Sequence, residues 1–81
     1  MKDYNGWKNR STWNVALWIA NSYELYTQAV EFVKNYSGKN PYKDYIKYIG
    51  RENEKTLDNI KWLSSRLDYQ ELNAFMIRLV K

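Results

Sequence analysis

The sequence contains no cysteine and no histidine, and these absences exclude several kinds of chemistry. Without cysteine there is no disulfide, no thiol nucleophile and no thiolate ligand for zinc. Without histidine there is no imidazole to activate a serine, to act as a general base or to change charge near neutral pH. We therefore expect a protein that is not an enzyme, with no catalytic residues, no metal site and no cofactor.

Glycine and proline are also scarce, since Gly6, Gly38, Gly50 and Pro41 are their only occurrences. No two glycines lie close enough to form a phosphate-binding loop, which argues against nucleotide hydrolysis. The mean hydropathy is −0.78, the N-terminus is polar and no long apolar run occurs. We therefore expect neither a signal peptide nor a membrane contact, and a cytoplasmic location.

Aromatic residues are abundant, with four Trp, eight Tyr and two Phe among 81 residues. Rings bury a large area each, so they can hold a small domain together without disulfides. The length suits one domain, 1–81, with an extended N-terminal arm at 1–8 and a helical core at 9–81. The net charge of +4 permits nucleic-acid or acidic protein partners, but it excludes an acidic mimic of DNA.

Apolar spacing and helix-capping residues predict an all-α fold. Asn21 and Glu24 have the spacing of a capping box, and so do Asp68 and Glu71. Gly38 suits a left-handed C-terminal cap, and Pro41 suits the first position of a helix. We predict a small bundle of four helices, at about 9–21, 23–36, 41–49 and from 68 to the C-terminus.

The segment 56–67 permits two interpretations. Thr56 could cap a fifth helix over 57–63, because Ile60 and Leu63 would share one face. Alternatively, Asp58 and Asn59 favour a turn followed by a short extended piece. We favour irregular structure here.

The predicted core consists of large apolar side chains from the four helices. Asn14 stands out because it lies in an otherwise apolar helix, and a buried amide costs free energy unless it is paired. We expect Asn14 to tie the arm or a neighbouring loop to this helix, with Asn9, Arg10 and Thr12 sharing the network. The predicted core residues are Trp13, Leu17, Trp18, Tyr26, Val30, Val33, Ile46, Phe75 and Leu79.

Basic residues interleaved with tyrosines are the main candidates for binding a partner. Such residues can contact phosphates while a ring stacks on a base, and they are also common at protein–protein hot spots. The first predicted patch contains Lys43, Lys47, Tyr48, Arg51 and Lys55. The second lies on and next to the arm and contains Tyr4, Lys8 and Arg10.

The residues from Trp7 to Ile19 form a run that we name the Trp-rich motif, and its pattern is W-x-N-x-x-T-W-N-V-x-L-W-I. This run resembles a family of small uncharacterised proteins carried by bacteriophages and other mobile elements. A second, looser similarity covers 56–72 and favours irregular structure at 56–67. The family pattern is kept at Trp7, Asn9, Thr12, Trp13, Asn14, Val15, Leu17, Trp18 and Ile19, whereas Ser22 and Tyr23 stand where Asp-Glu is common.

The resemblance implies a viral or mobile-element origin and an infected bacterial host. Small phage proteins without catalytic groups commonly bind a host protein or ribonucleoprotein complex, and inhibition of a defence system such as a CRISPR effector is one such task. We expect a stoichiometric binder of this kind. Two alternatives stay open, a small basic nucleic-acid-binding protein and a homo-oligomeric structural protein, and the sequence does not fix the oligomeric state.

Overall fold

The computed structural model describes residues 6–80, and these form four helices with no named strand. Helix α1 covers Arg10–Asn21, α2 covers Tyr23–Lys34, α3 covers Pro41–Tyr48 and α4 covers Tyr69–Arg78. The predicted all-α bundle is therefore confirmed. The segment between α3 and α4 is irregular, as predicted, and contains one antiparallel bridge between Lys55 and Lys61. No helix in 6–80 is long and apolar enough to cross a bilayer.

Capping side chains explain where three of the helices begin. Asn9 caps α1, and Asp68 caps α4 by accepting a hydrogen bond from the Glu71 N–H at 3.0 Å. The prediction that Asn21 caps the second helix is wrong, because α1 continues through Asn21. Ser22 alone has an extended backbone between the two helices, and its hydroxyl accepts from Leu25 N–H at 3.3 Å. One serine thus ends α1 and begins α2.

The prediction of a left-handed cap at Gly38 is also wrong. The described glycines with positive φ are Gly6 and Gly50, and α2 ends at Lys34 rather than Tyr36. Gly38 is needed for space, because a Cβ there would overlap the Tyr36 hydroxyl. That hydroxyl donates to the Asp44 carboxylate and accepts from the Asn40 N–H, so it fastens the α2–α3 loop to α3.

The buried face of α1 contains smaller side chains than predicted. On α1 the buried face is formed by Thr12, Val15, Ala16 and Ile19 rather than by the larger Trp13 and Leu17, which are half-buried. Small side chains on α1 let neighbouring helices approach closely, while Trp13 and Trp18 of the same helix stay partly exposed. The buried apolar residues are Val15, Ala16, Ile19, Leu25, Ala29, Tyr42, Tyr45, Ile46, Trp62, Leu67, Leu72 and Met76.

Of the predicted core residues, only Ile46 belongs to this buried set. Four others pack against it while partly exposed, namely Trp18, Val33, Phe75 and Leu79. Tyr26 is exposed, so its assignment to the core is wrong. Its place is taken by Tyr42 and Tyr45 of α3, whose rings are completely buried.

The two buried tyrosines of α3 connect it to other parts of the chain. Tyr42 donates its hydroxyl hydrogen to the Trp62 carbonyl at 2.6 Å, and Tyr45 donates to the Leu25 carbonyl at 2.8 Å. Burial raises the pKa of both phenols above the ordinary value, so both remain neutral donors. Through Tyr42, the irregular segment between α3 and α4 becomes part of the core.

Candidate functional site

Trp7 and Lys8, just before α1, contact α4. The Trp7 ring meets the edge of Phe75 with 5.7 Å between centroids, and the Lys8 N–H donates to Glu71 Oε1 at 2.9 Å. Tyr4, which we placed in the second predicted patch, lies outside the described residues. The Lys8 side chain is exposed. Glu71 therefore binds the backbone before α1 rather than closing a capping box at Asp68.

Asn9 and Thr12 join the beginning of α1 to the residues before α4. Asn9 Oδ1 accepts from the Thr12 N–H and hydroxyl, both at 2.8 Å, and Asn9 Nδ2 donates to the Arg66 carbonyl at 2.9 Å. The Thr12 hydroxyl also accepts from the Asp68 N–H at 2.9 Å. These two side chains of the Trp-rich motif thus position a loop more than fifty residues away in the sequence.

Asn14 performs the same task for the irregular segment, which confirms the prediction that it ties a loop to α1. Its Oδ1 accepts from the Thr56 hydroxyl at 2.9 Å, and its Nδ2 donates to Asp58 Oδ2 at 2.7 Å. The Trp18 indole N–H donates to the same carboxylate oxygen at 3.2 Å. These hydrogen bonds, aided by the positive charge of Arg10, hold the pKa of the Asp58 carboxyl below its usual value.

The turn at 56–60 is fixed from within as well. The Thr56 hydroxyl accepts from the Asp58 and Ile60 N–H groups, and the Thr56 N–H donates to the Ile60 carbonyl at 2.8 Å. Asn59 has a φ of 67°, the left-handed conformation that asparagine tolerates better than most residues. The side chains of Thr56 and Asp58 thus both hold the turn in a single backbone conformation.

Leu57 lies on this fixed turn with 89% of its surface exposed. Beside it is a cleft of about 230 Å³, whose walls include Trp18 and the buried Trp62. Three charged residues, Glu24, Arg51 and Lys55, also line this cleft. We name this area the Leu57 surface and define it as Leu57, Trp18, Arg51, Lys55 and Glu24.

The predicted patch on α3 does not converge on one cleft. Lys43 and Lys47 are exposed, and Lys43 Nζ lies 5.3 Å from the centre of the Tyr69 ring. Tyr48 is 70% exposed and lies with its ring 5.1 Å from Phe32, beside a different cleft between α2 and α3. Lys43 and Tyr48 therefore belong to separate parts of the surface.

Arg51 and Lys55, in contrast, both line the Leu57 cleft. The Arg51 guanidinium also pairs with Glu54 at 3.3 Å, on the exposed surface. Arg10, which we placed with the arm, is exposed and acts on Asp58 through its charge. Leu57 was not among the predicted binding residues, because one leucine in a polar segment carries no periodic pattern. Its only indication was the Asp58-Asn59 turn that follows it.

A model of a protein family with unknown function, DUF7249, matches residues 1–80. Because this match spans nearly the whole sequence, the chain belongs to that family. No curated protein and no solved structure matches the chain. The family carries no assigned activity, so the function must be argued from the surface of the molecule.

Proposed function

We propose that this DUF7249 protein is a stoichiometric protein-binding module that docks on a host protein complex through the Leu57 surface. The observation that carries the proposal is the 89% exposure of Leu57 on a turn fixed by Asn14, Thr56 and Asp58. An exposed apolar side chain on a rigid support is typical of a residue that inserts into a pocket of a partner. The Trp-rich motif then has a functional purpose besides folding.

The binding energy available from Leu57 depends on the rigidity of the turn that carries it. Complete burial of a leucine side chain contributes about 1.5–3 kcal/mol to binding. A flexible loop would lose part of this gain, because its conformational entropy falls on association. The 56–60 turn is already ordered by bonds to α1, so most of the gain from burying Leu57 remains available.

The charges around Leu57 indicate the chemistry of the partner. Arg51 and Lys55 flank the cleft on the same side of the molecule as Leu57. A complementary partner surface would have an apolar pocket for Leu57, with carboxylates at the rim of the pocket to face Arg51 and Lys55. It would also have one basic residue at the rim, to face Glu24. Charged rims of this kind raise the association rate and select the partner more than they raise affinity.

The narrower part of the proposal concerns which complex is bound. Support comes from the resemblance of the Trp-rich motif to proteins of phages and mobile elements, which favours a host target. A defence complex such as a CRISPR effector is the specific hypothesis. It predicts that purified protein, in a stoichiometric amount, reduces the activity of that effector and increases phage survival in a defended host.

The test is capture from nuclease-treated host lysate, identification by mass spectrometry, and titration of the purified partner. Leu57→Ser should weaken the affinity about tenfold to a hundredfold, since about 1.4 kcal/mol corresponds to tenfold. Tyr23→Ser is the matched control, because Tyr23 is 84% exposed and lies outside the Leu57 surface. The control should leave the affinity unchanged.

Three results would overturn the proposal. One is the absence of any retained partner, and another is equal weakening by Leu57→Ser and Tyr23→Ser. The third is a solution mass that rises with concentration and returns to the monomer value in Leu57→Ser. That result would mean that a second copy of the chain covers Leu57, as in the homo-oligomer alternative.

A further inference from the structure

A second basic region lies where the irregular segment meets the beginning of α1. A cleft of about 360 Å³ is lined by three cations and three hydroxyl groups, from Lys55, Lys61, Arg66, Ser11, Ser64 and Ser65. A neighbouring cleft of about 410 Å³ shares Ser65 and Arg66 with it and adds Lys8 and Asp68. We name the two joined clefts the basic groove.

The fold brings two lysines of the groove together at an electrostatic cost. Lys55 and Lys61 face each other in the antiparallel bridge, so their side chains leave the same side of the backbone pair. Like charges directly opposite each other destabilise a strand pair. An anion bound between the two lysines would attract both of them and so offset their mutual repulsion.

Arg66, which lines both clefts, is positioned by the hydrogen bonds of its backbone. The Arg66 carbonyl accepts from Asn9 Nδ2 at 2.9 Å, and the Arg66 N–H donates to the Ser64 hydroxyl at 3.1 Å. Among residues 6–80, the ion pairs are Lys34–Glu31 and Arg51–Glu54, so no described carboxylate neutralises Lys55, Lys61 or Arg66. Their charge is available to a ligand.

The beginning of α1 adds a favourable field. Ser11 lines the groove at the second position of this 12-residue helix, and the first turn of α1 contains no acidic residue. The N-terminal end of a helix carries partial positive charge and favours anions. Among the described residues that line the groove, the one acidic residue is Asp68, whose carboxylate already accepts the Glu71 N–H as the cap of α4.

We propose that the basic groove binds the phosphate backbone of nucleic acid. Cations in two joined clefts, with Arg66 common to both, suit a ligand that presents several phosphates in succession. A phosphopeptide or a single nucleotide would occupy one cleft and leave the other cations unpaired. This inference does not depend on the protein-binding proposal, and the groove extends beyond the Leu57 surface, with which it shares only Lys55.

The test uses fluorescence anisotropy with a labelled 12-nucleotide single strand of thymidines, at several salt concentrations. The groove variant combines Lys61→Gln and Arg66→Gln. The matched control combines Lys39→Gln and Lys47→Gln, which removes the same charge from exposed lysines that line neither cleft. Single-stranded RNA and duplex DNA of the same length show which form of backbone the groove prefers.

We expect the groove variant to lose at least tenfold in affinity at low salt and the control to lose less than threefold. The slope of log K against log salt should become flatter by about 1.4 in the groove variant, because about 0.7 is lost per single-strand phosphate contact. Equal losses in both variants would overturn the proposal, since they would reflect net charge alone.

Two further measurements separate local binding from other causes. Thermal unfolding should occur at or above the wild-type temperature in the groove variant, because Lys61→Gln removes one of two facing charges. A mononucleotide or inorganic phosphate that binds as tightly as the oligonucleotide would overturn the proposal in favour of a single phosphate site. Leu57→Ser should retain oligonucleotide binding, so failure of either proposal can be recognised separately.

Discussion

Replacing Asn14 by alanine tests whether the Trp-rich motif supports the 56–60 turn. The Asn14 amide is 1% exposed, and the Thr56 hydroxyl that donates to it belongs to a residue that is 6% exposed. Loss of this buried hydrogen bond costs about 0.5–1.5 kcal/mol, and the unpaired hydroxyl donor adds about 1–3 kcal/mol. We expect Asn14→Ala to lower the free energy of unfolding by about 2–4 kcal/mol.

That loss is a large part of the total stability of a small domain, which is about 4–12 kcal/mol at this length. For a domain of this size, about 1 kcal/mol shifts Tm by about 4–8 °C. Urea unfolding followed by circular dichroism would give the free energy, and hydrogen exchange of the Trp18 indole would report on the turn. The indole N–H should exchange faster in the variant. Its acceptor, the Asp58 carboxylate, is then no longer held in place by the Asn14 amide.

Asn21→Ala is the matched control, because Asn21 is exposed at the end of the same helix. We expect it to change stability by less than about 0.5 kcal/mol, as surface substitutions usually do. If Asn14→Ala were as mild as this control, the turn would not depend on its hydrogen bonds to Asn14. Leu57 would then not be preorganised by the Asn14 contacts, contrary to the proposal.

Two other predictions concern the same polar contacts. The pKa of Asp58 is lower in the folded protein than in the unfolded chain, so the ionised carboxylate stabilises the fold. This contribution is complete above the ordinary carboxyl pKa of about 3.9. It is lost as the pH falls through the lowered pKa of the folded protein. Urea unfolding between pH 2.5 and 6 should therefore give a flatter pH dependence for Asp58→Asn than for wild type, and parallel curves would contradict the assignment. Thr12→Val keeps the shape of a completely buried side chain but leaves the Asp68 N–H without its acceptor. It should cost about 1–3 kcal/mol in the same assay, whereas a change below about 0.5 kcal/mol would show that the contact is dispensable.

The sequence was sufficient to predict helices and most of their ends. Asn9, Pro41 and Asp68 mark helix starts through local chemistry, because a cap or a proline acts on its own turn. The core was harder to predict, because α1 is apolar on every side and the periodicity does not identify which face is buried. Which face of α1 is buried depends on the helices that pack against it. That packing is determined by the whole chain and not by the sequence of α1 alone.

The candidate site was only partly visible in the sequence. The amide of Asn14 in an apolar helix correctly indicated a tie to a loop, since a buried polar group needs a partner. Neither Leu57 nor the pairing of Lys55 with Lys61 has a local pattern that would reveal it. Both depend on how the irregular segment is held against α1, and that depends on contacts between residues far apart in the sequence.

The distance along the chain between these partners has a consequence for how the protein folds. The Lys8 backbone N–H donates to the Glu71 carboxylate, 63 positions away. The Asn9 side chain donates to the Arg66 carbonyl, 57 positions away, and the Trp18 indole donates to the Asp58 carboxylate, 40 positions away. Small helical proteins usually fold within microseconds to milliseconds because most of their contacts are local. Here α1 and the two residues before it acquire these partners only after the segment 58–71 has been synthesised. We therefore expect folding to be slower than in helical bundles of equal length, with α1 and α2 forming early and the segment before α4 closing last.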